Sequence, residues 1–500
     1  NGKLGLLWPL LPADTRVPDH SIWDHLDLTS AFAGAFAADA EGEVALLTMA
    51  LGPVQGFIAA ARTTSDLWAG SHLLSRLAWE AMKPVCEALG PDAILFPRLR
   101  GVPQVDLWLR DECDLPKSLF DGAAWTEGNT DANPLFAAAL PNRFVAVVPR
   151  ARAADLARQV EETVRGWLKQ LGEEVVDRLL VEAGLDREER QHCHRQMREQ
   201  LSGFPEVHWA AVPFSLIRPR NAERQTDLDT TQLSQAMAPF LGVQPGQPAG
   251  FLASPAWKVL QAETKWDDRT TFFAPNPGAL YPAIQDLAER ALAAAKSVRP
   301  FAQTAQTGWR CSLTGETEWL TTDPAQLELP ATQRRSARTL WTEIARRRPA
   351  WARKGEHLGA LPAIKRLWPQ RFAEEVGQAL GDRAGARRFV VSTHTMALAH
   401  QIDRWLEAGA PTSPELARLL DAHGDDRVAL PRQIMRRHAR RADALDRARR
   451  LPGLLESATE QDEIDEGQAQ ALRRAVQSAL GSGADDRIET YYSLVLMDGD

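Results

Sequence analysis

Two carboxylates flank a glycine at Asp498-Gly499-Asp500, directly behind the run Tyr491-Tyr492-Ser493-Leu494-Val495-Leu496-Met497. The run reads as a short buried β-strand. Carboxylates at such a strand end suit a hard divalent cation such as Mg2+, which takes oxygen ligands and leaves room for phosphate oxygens. The same residues also suit a strand followed by an Asp-Gly turn. A second candidate is Asp66-Leu67-Trp68-Ala69-Gly70-Ser71, at the start of an expected long helix. Ala69, Gly70 and Ser71 carry no bulk, so backbone can approach a ligand there, and free N–H groups of a first helical turn favour an anion. Close helix–sheet packing explains the same small residues equally well.

Three weaker clusters follow. His20, Asp24 and His25 are metal-ligand types. His20 and Asp24 share a helix face if that helix starts early enough, whereas a polar first turn capped by Ser21 needs no metal. His192-Cys193-His194 places neighbours two apart on different faces of a helix and reads as surface. Trp309-Arg310-Cys311-Ser312-Leu313-Thr314-Gly315-Glu316 looks like half of a zinc knuckle, with Lys354 to Leu367 as the other half. A structural zinc needs four N or S ligands, and only Cys311 and His357 offer any. The lobe at about 305–370 is therefore expected to hold by packing. Arg432, Arg436, Arg437, Arg440, Arg441, Arg447, Arg449 and Arg450 make a basic run, either a solvated helix face or a set of phosphate contacts to RNA.

The elements that must position these residues are legible in outline. Val44 to Leu51 reads as a buried strand broken by Gly52-Pro53, then a short helix at Gln55 to Arg62 and a long one from Asp66. Strands are expected at 92–97, Phe144 to Val148 and His208 to Phe214, with a long amphipathic helix from Ala153 past Trp167. The order β-α-β-β-α-β is the ferredoxin-like split βαβ unit, an α+β fold. Residues 217–300 look mostly helical. Phe389 to Thr395 reads as a short β segment, helices run on to about 480, and Gly481-Ser482-Gly483 is a linker.

Five hundred residues exceed one core, so three or more domains are expected. Hydrophobic content of 44% and charged content of 25% are those of a globular chain. No signal-peptide pattern or apolar run of membrane-spanning length is present, which argues against a membrane partner. Four scattered cysteines suggest no disulfide framework and fit a reducing cytoplasm. A net charge of −8 argues against generic polyanion binding but leaves room for a local basic groove. The sixteen tryptophans suggest no function. An ending on a buried strand suggests a piece of a longer protein.

Taken in order, several blocks resemble the large subunit of type III CRISPR effector complexes of the Cmr subtype (III-B). They are Asp19 to Leu26, Gly52-Pro53-Val54-Gln55-Gly56-Phe57-Ile58, Asp66 to Ser71, Cys311 to Glu316, Gly355 to Leu367, Ser392-Thr393-His394 and Met497-Asp498-Gly499-Asp500. The resemblance implies an RNA-guided complex, with guide RNA, target RNA and other Cmr subunits as partners. It implies two polymerase/cyclase-like palm domains, separated by a zinc-binding lobe, that join ATP into cyclic oligoadenylates. Residues 1–40 would then end an HD-like nuclease region. Residues 41–215 would form the first palm, 216–485 a helical region with a degenerate zinc lobe, and 486–500 the start of the second palm. Asp498 and Asp500 would be catalytic and, with Gly499, hold Mg2+ or Mn2+. The family's Gly-Gly-Asp-Asp hairpin should follow Asp500. Asp66, Ala69, Gly70 and Ser71 would line a nucleotide pocket, and Arg436, Arg437, Arg440 and Arg441 would contact RNA. Two departures are expected to matter. His25 looks like the one ligand left of the nuclease, so nuclease activity is in question. Thr314, Gly359 and Pro362 stand where zinc cysteines belong, so no zinc is expected. The competing classes are a non-catalytic scaffold for guide RNA and partner subunits, and a stand-alone nucleotide cyclase.

Overall fold

The computed structural model describes residues 5–14, 20–126, 133–185, 190–221, 224–261, 264–265, 271–273, 277–298, 305–334, 336–381, 391–423, 428–457, 466–481, 487–491 and 493. The chain divides into two compact units. One comprises Asn1–Ala60, Ala69–Thr126 and Pro134–Trp368; the other comprises Ala61–Trp68, Glu127–Asn133 and Pro369–Asp500.

The first unit is built on β1 (Val44–Gly52), which is buried along nearly its whole length. Its even residues Val44 and Leu46 join Val145, Val147 and Val212 in one core. Its odd residues Ala45, Leu47 and Met49 are equally buried on the opposite face. A strand covered on both faces needs a continuous apolar run, and β1 is one. After it come α1's successors in chain order: α1 itself is Ile22–Ala37, then α2 (Gln55–Ala59), α3 (Thr64–Leu89), β2 (Ile94–Phe96), α4 (Pro103–Asp111) and β3 (Arg143–Pro149). Next are α5 (Ala153–Ala183), α6 (Arg190–Leu201) and β4 (Glu206–Pro213). The four strands form one sheet in the order β2-β3-β1-β4. All three pairings are antiparallel, with Leu47 opposite Ala146 on one side and Ala211 on the other. This is the expected β-α-β-β-α-β arrangement.

Residues 217–300 are less helical than expected. The hairpin β5–β6 (Arg218–Asn221, Arg224–Asp229) and the short pair β7–β8 (Thr264–Lys265, Thr271–Phe273) interrupt them. Between and beyond lie α7 (Thr231–Leu241), α8 (Pro255–Leu260) and α9 (Tyr281–Ser297). Helix α9 lays Ala283, Ile284, Leu287 and Ala288 into the core that holds Val44 and Leu46. Then follow α10 (Ala331–Arg334), α11 (Leu340–Arg347) and α12 (Ala360–Ala379).

In the second unit, α13 (Thr393–Ala397), α14 (Ala399–Glu407), α15 (Pro414–His423), α16 (Arg432–Arg437), α17 (Ala442–Ser457) and α18 (Glu466–Leu480) surround a core. That core includes Leu398, Ile402, Trp405, Leu451, Leu454, Leu472 and Val476. The expected β segment at 389–395 is a helix start over its described part. Ser392 accepts the Thr395 N–H at 3.0 Å and caps α13, the capping arrangement that favours helix. Residues 487–491 are in no strand, and Tyr491 is 82% exposed. The expected buried strand therefore does not include Tyr491. Tyr492 and Leu494 to Asp500, with the Asp498-Gly499-Asp500 site, lie outside the described residues.

Candidate functional site

Beyond β1 the chain turns at Gly52-Pro53 into α2, a helix of five residues. So short a helix leaves all its last carbonyls without helical partners. Lys365 of α12 supplies them. Its Nζ donates to Phe57 O at 2.6 Å, Ala60 O at 2.7 Å and Ile58 O at 3.3 Å. A cation at a helix C-terminus also meets the negative end of the helix dipole. The ammonium stands 4.9 Å from the centre of the Phe57 ring, and Phe57 packs on Phe204 at 4.9 Å. Lys365 is only 2% exposed, so its three carbonyl partners replace the water it gave up.

Gly70 of α3 makes room for this arrangement. A Cβ there would lie 3.1 Å from Ile58 Cα and 3.1 Å from Lys365 Cε. The structure thus brings together three blocks that the sequence presents separately: 52–58, the small residues of α3, and the stretch ending in Leu367. One turn further along each helix sits a second tie. Trp368 Nε1 donates to His72 Nδ1 at 3.1 Å, and His72 Nε2 donates to Leu135 O at 3.1 Å.

These contacts recast the expected nucleotide residues. Ala69 and Gly70 are buried against protein rather than open to a ligand. Asp66 is buried too. Its carboxylate accepts the Arg62 and Thr63 N–H groups at 3.1 and 3.3 Å, while Thr63 Oγ1 accepts the Asp66 N–H at 3.1 Å. This reciprocal capping closes the first turn of α3 with a negative charge, which opposes an anion at that spot. Ser71 alone of the four is half-buried. The packing explanation for the small residues is the one the geometry favours.

At the start of the chain, Ser21 rather than His20 caps α1, so His20 lies outside the helix and shares no face with Asp24. Asp24 accepts from Ser21 Oγ at 2.5 Å and pairs with Arg98 at 3.1 Å. The Ser21 hydroxyl, then Arg98, hold the carboxyl below its usual range despite some burial. His25 stacks on His20 with ring centres 5.5 Å apart. Cys193 is buried between α5 and α6, not on the surface, and burial pushes its thiol up to about 12. Among the described residues no group of three or more His, Cys, Asp or Glu can hold a metal.

In the lobe, Cys311 Sγ accepts the Leu313 N–H at 3.4 Å, and Ser312 N donates to His357 O at 2.8 Å. Trp319 and Trp341 are fully buried there, and Trp319 meets the His357 ring edge-on at 4.6 Å. Position 359 is filled by its neighbours: a Cβ would lie 2.5 Å from Thr317 Oγ1. The lobe brings two zinc-type donors together where four are needed, so its residues do not fit that ion. Burial, with Arg334 adding to it, holds the His357 imidazole below its ordinary 6.5, although the Gly355 carbonyl opposes this. The folded form therefore favours neutral His357. Its stabilising share is present above the ordinary value and is lost as pH falls through the window beneath it. Melting temperature measured from pH 8 to 5 should fall more steeply for the wild type than for His357→Gln; identical slopes would refute the assignment.

In the second unit the basic run is partly committed to protein. Arg437 pairs with Asp403 and Glu407, and Arg441 donates to Leu406 O. Arg450 pairs with Asp446 at 2.7 Å. Arg436 and Arg440 are exposed and retain the reach for a phosphate. Lys365 is the residue that sequence reasoning missed. The signal was a lone lysine in the apolar stretch from Ala363 to Trp368.

With this geometry in hand, the chain compares as follows. The family described as "CRISPR-associated protein Cmr2, N-terminal" matches residues 46–173. The Cmr2 subunit of the Pyrococcus furiosus CRISPR Cmr system is 34% identical over 189 residues, 38% of this chain and 19% of that protein. The Cmr2 subunit of Saccharolobus solfataricus is 42% identical over 90 residues, 18% of this chain and 9% of that protein. The chain thus covers less than a fifth of these relatives' length. Two structures of type III-B Cmr-beta complexes, apo and bound to cognate target RNA, align at TM-scores of 0.48 and 0.42. They show 17% and 18% identity and cover 84% and 83% of this chain and 42% of each matched chain. No helix among the described residues is long and apolar enough to cross a membrane.

Proposed function

We propose, from the premise that this chain is a relative of the Cmr2 large subunits of type III-B CRISPR systems, that it belongs to an RNA-guided complex which makes cyclic oligoadenylate from ATP once target RNA binds. One observation carries the reading. The family-matched residues 46–173 supply β1, α2, α3, β2, β3 and much of α5 of a four-stranded antiparallel sheet in ferredoxin-like order. That is the arrangement a palm-type nucleotidyltransferase half requires. The sheet and the Lys365 brace make a stiff platform, and stiffness is what a site must have to hold two reactants in line.

Asp498, the Gly499 carbonyl and Asp500 form a hard oxygen donor set of the kind Mg2+ or Mn2+ takes, so they are the residues that would hold the ion. When bound, such an ion lowers the pKa of an attacking hydroxyl and neutralises triphosphate charge. Guide RNA, target RNA and the other Cmr subunits are the proposed partners. Exposed Arg436 and Arg440 remain the candidate phosphate contacts on the basic run. The test uses the complex assembled from the intact gene, with guide RNA, labelled ATP and Mg2+. Oligoadenylate that appears only with matched target RNA supports the proposal. Target binding without any product would refute it.

A further inference from the structure

Helix α1 carries two apolar faces. Ala31 and Ala35 are buried, and Ala35 joins the core above the sheet. Leu28, Phe32 and Phe36 recur every four residues on another stripe, and Leu28 and Phe36 remain 41% and 46% exposed. A surface helix ordinarily has one apolar stripe; a second one calls for a partner.

That stripe walls a groove of about 720 Å3. Val44 and Leu95 of the sheet, with Phe214 and Tyr281, complete it. Phe32 meets Phe214 edge-on at 5.4 Å and Phe36 at 6.2 Å, so aromatic rings set its shape. At its mouth the Glu43 carboxylate is shared between Arg150 and Arg218, the latter at 3.2 Å. One carboxylate against two guanidiniums leaves the mouth net positive. Arg218 keeps 60% of its side chain exposed, and a guanidinium has five donors to satisfy.

We propose that this groove docks an acidic amphipathic helix from another protein subunit of the complex. The proposal rests on the complex-subunit reading given above. A wall made by an i, i+4, i+8 ridge is the surface that a second helix packs against. The positive mouth selects a carboxylate beside the apolar anchors and disfavours lysine. A second copy of this chain fits less well, because each copy carries a net charge of −8 and the two repel.

The experiment co-expresses the full-length protein with the remaining subunits and guide RNA, and places a benzoylphenylalanine photo-crosslinker at Phe36. The expected crosslink maps to a helix of one partner subunit with apolar residues three or four apart and a flanking Asp or Glu. Leu28→Asp and Arg218→Glu should each lower recovery of that subunit at least about tenfold, the effect of losing one interface anchor. The melting temperature of the isolated protein should stay unchanged, since both side chains are solvent-accessible. Full assembly of both variants overturns the proposal, and so does a crosslink to a second copy of this chain or to a loop. If the wild type recruits no subunit at all, the complex-subunit reading fails first and the groove proposal falls with it.

Discussion

Asp498→Ala, made in the full-length protein and assembled with its partner subunits, removes target-dependent oligoadenylate while target RNA still binds. Asp498 and Asp500 are the two anionic donors of an otherwise neutral apolar segment. A divalent ion on hard oxygen ligands depends on their charge, and one neutral replacement removes half of it. Such an ion contributes several kcal/mol to transition-state charge stabilisation, so a loss of roughly a thousandfold in rate follows at about 1.4 kcal/mol per decade. Asp498→Asn should do nearly the same damage, because the amide keeps the shape but not the charge. Labelled ATP turnover gives the rate, and retention of labelled target RNA on a filter gives binding. Product within about threefold of wild type would sink the metal role of this residue. Parallel loss of RNA binding would show a folding defect instead and would be resolved by Asp500→Asn in the same assay.

The sheet was legible because its burial is written into local sequence. Val44 to Leu51 is apolar without alternation, which only a strand covered on both faces requires, and α9 does lie over one face. The strand and helix order therefore sufficed for the topology. Long-range pairings were not legible. Lys365 meets carbonyls 305 to 308 residues away, and no local pattern announces such a contact. Gly70 carried the same ambiguity, since a small residue looks alike whether it admits a ligand or a neighbouring helix. Cys193 could have been placed correctly: with Met197 and Leu201 it forms an i, i+4, i+8 buried stripe, and the alternating histidines drew attention away from it. The arginine run was visible, but Asp403, which takes Arg437 and His438, is 34 and 35 positions away. Charge runs show their sign in sequence and hide their partners.

Lys365→Met should destabilise the first unit by about 3–5 kcal/mol, the range seen when a buried charged group loses its partners. Methionine matches the stem in length, so the packing beside Phe57 survives. The carbonyls of Phe57, Ile58 and Ala60 lose their donor, and buried acceptors left unsatisfied cost about 1–3 kcal/mol each. The companion variant Gly70→Ala separates the two explanations for the small residues of α3. Alanine in a helix interior gains about 1 kcal/mol over glycine. Against that, the new methyl would press on Ile58 Cα and Lys365 Cε at 3.1 Å, and overpacking costs typically 1–3 kcal/mol. Backbone on one side and a three-way hydrogen-bonded ammonium on the other give little room to relax, so the loss should win. Melting temperature is expected to fall for both variants, with ATP consumption falling only as folded protein is lost. A Gly70→Ala protein with unchanged melting and a raised KM for ATP would instead restore the nucleotide pocket at Ala69-Gly70-Ser71 and displace the brace as the reason for Gly70.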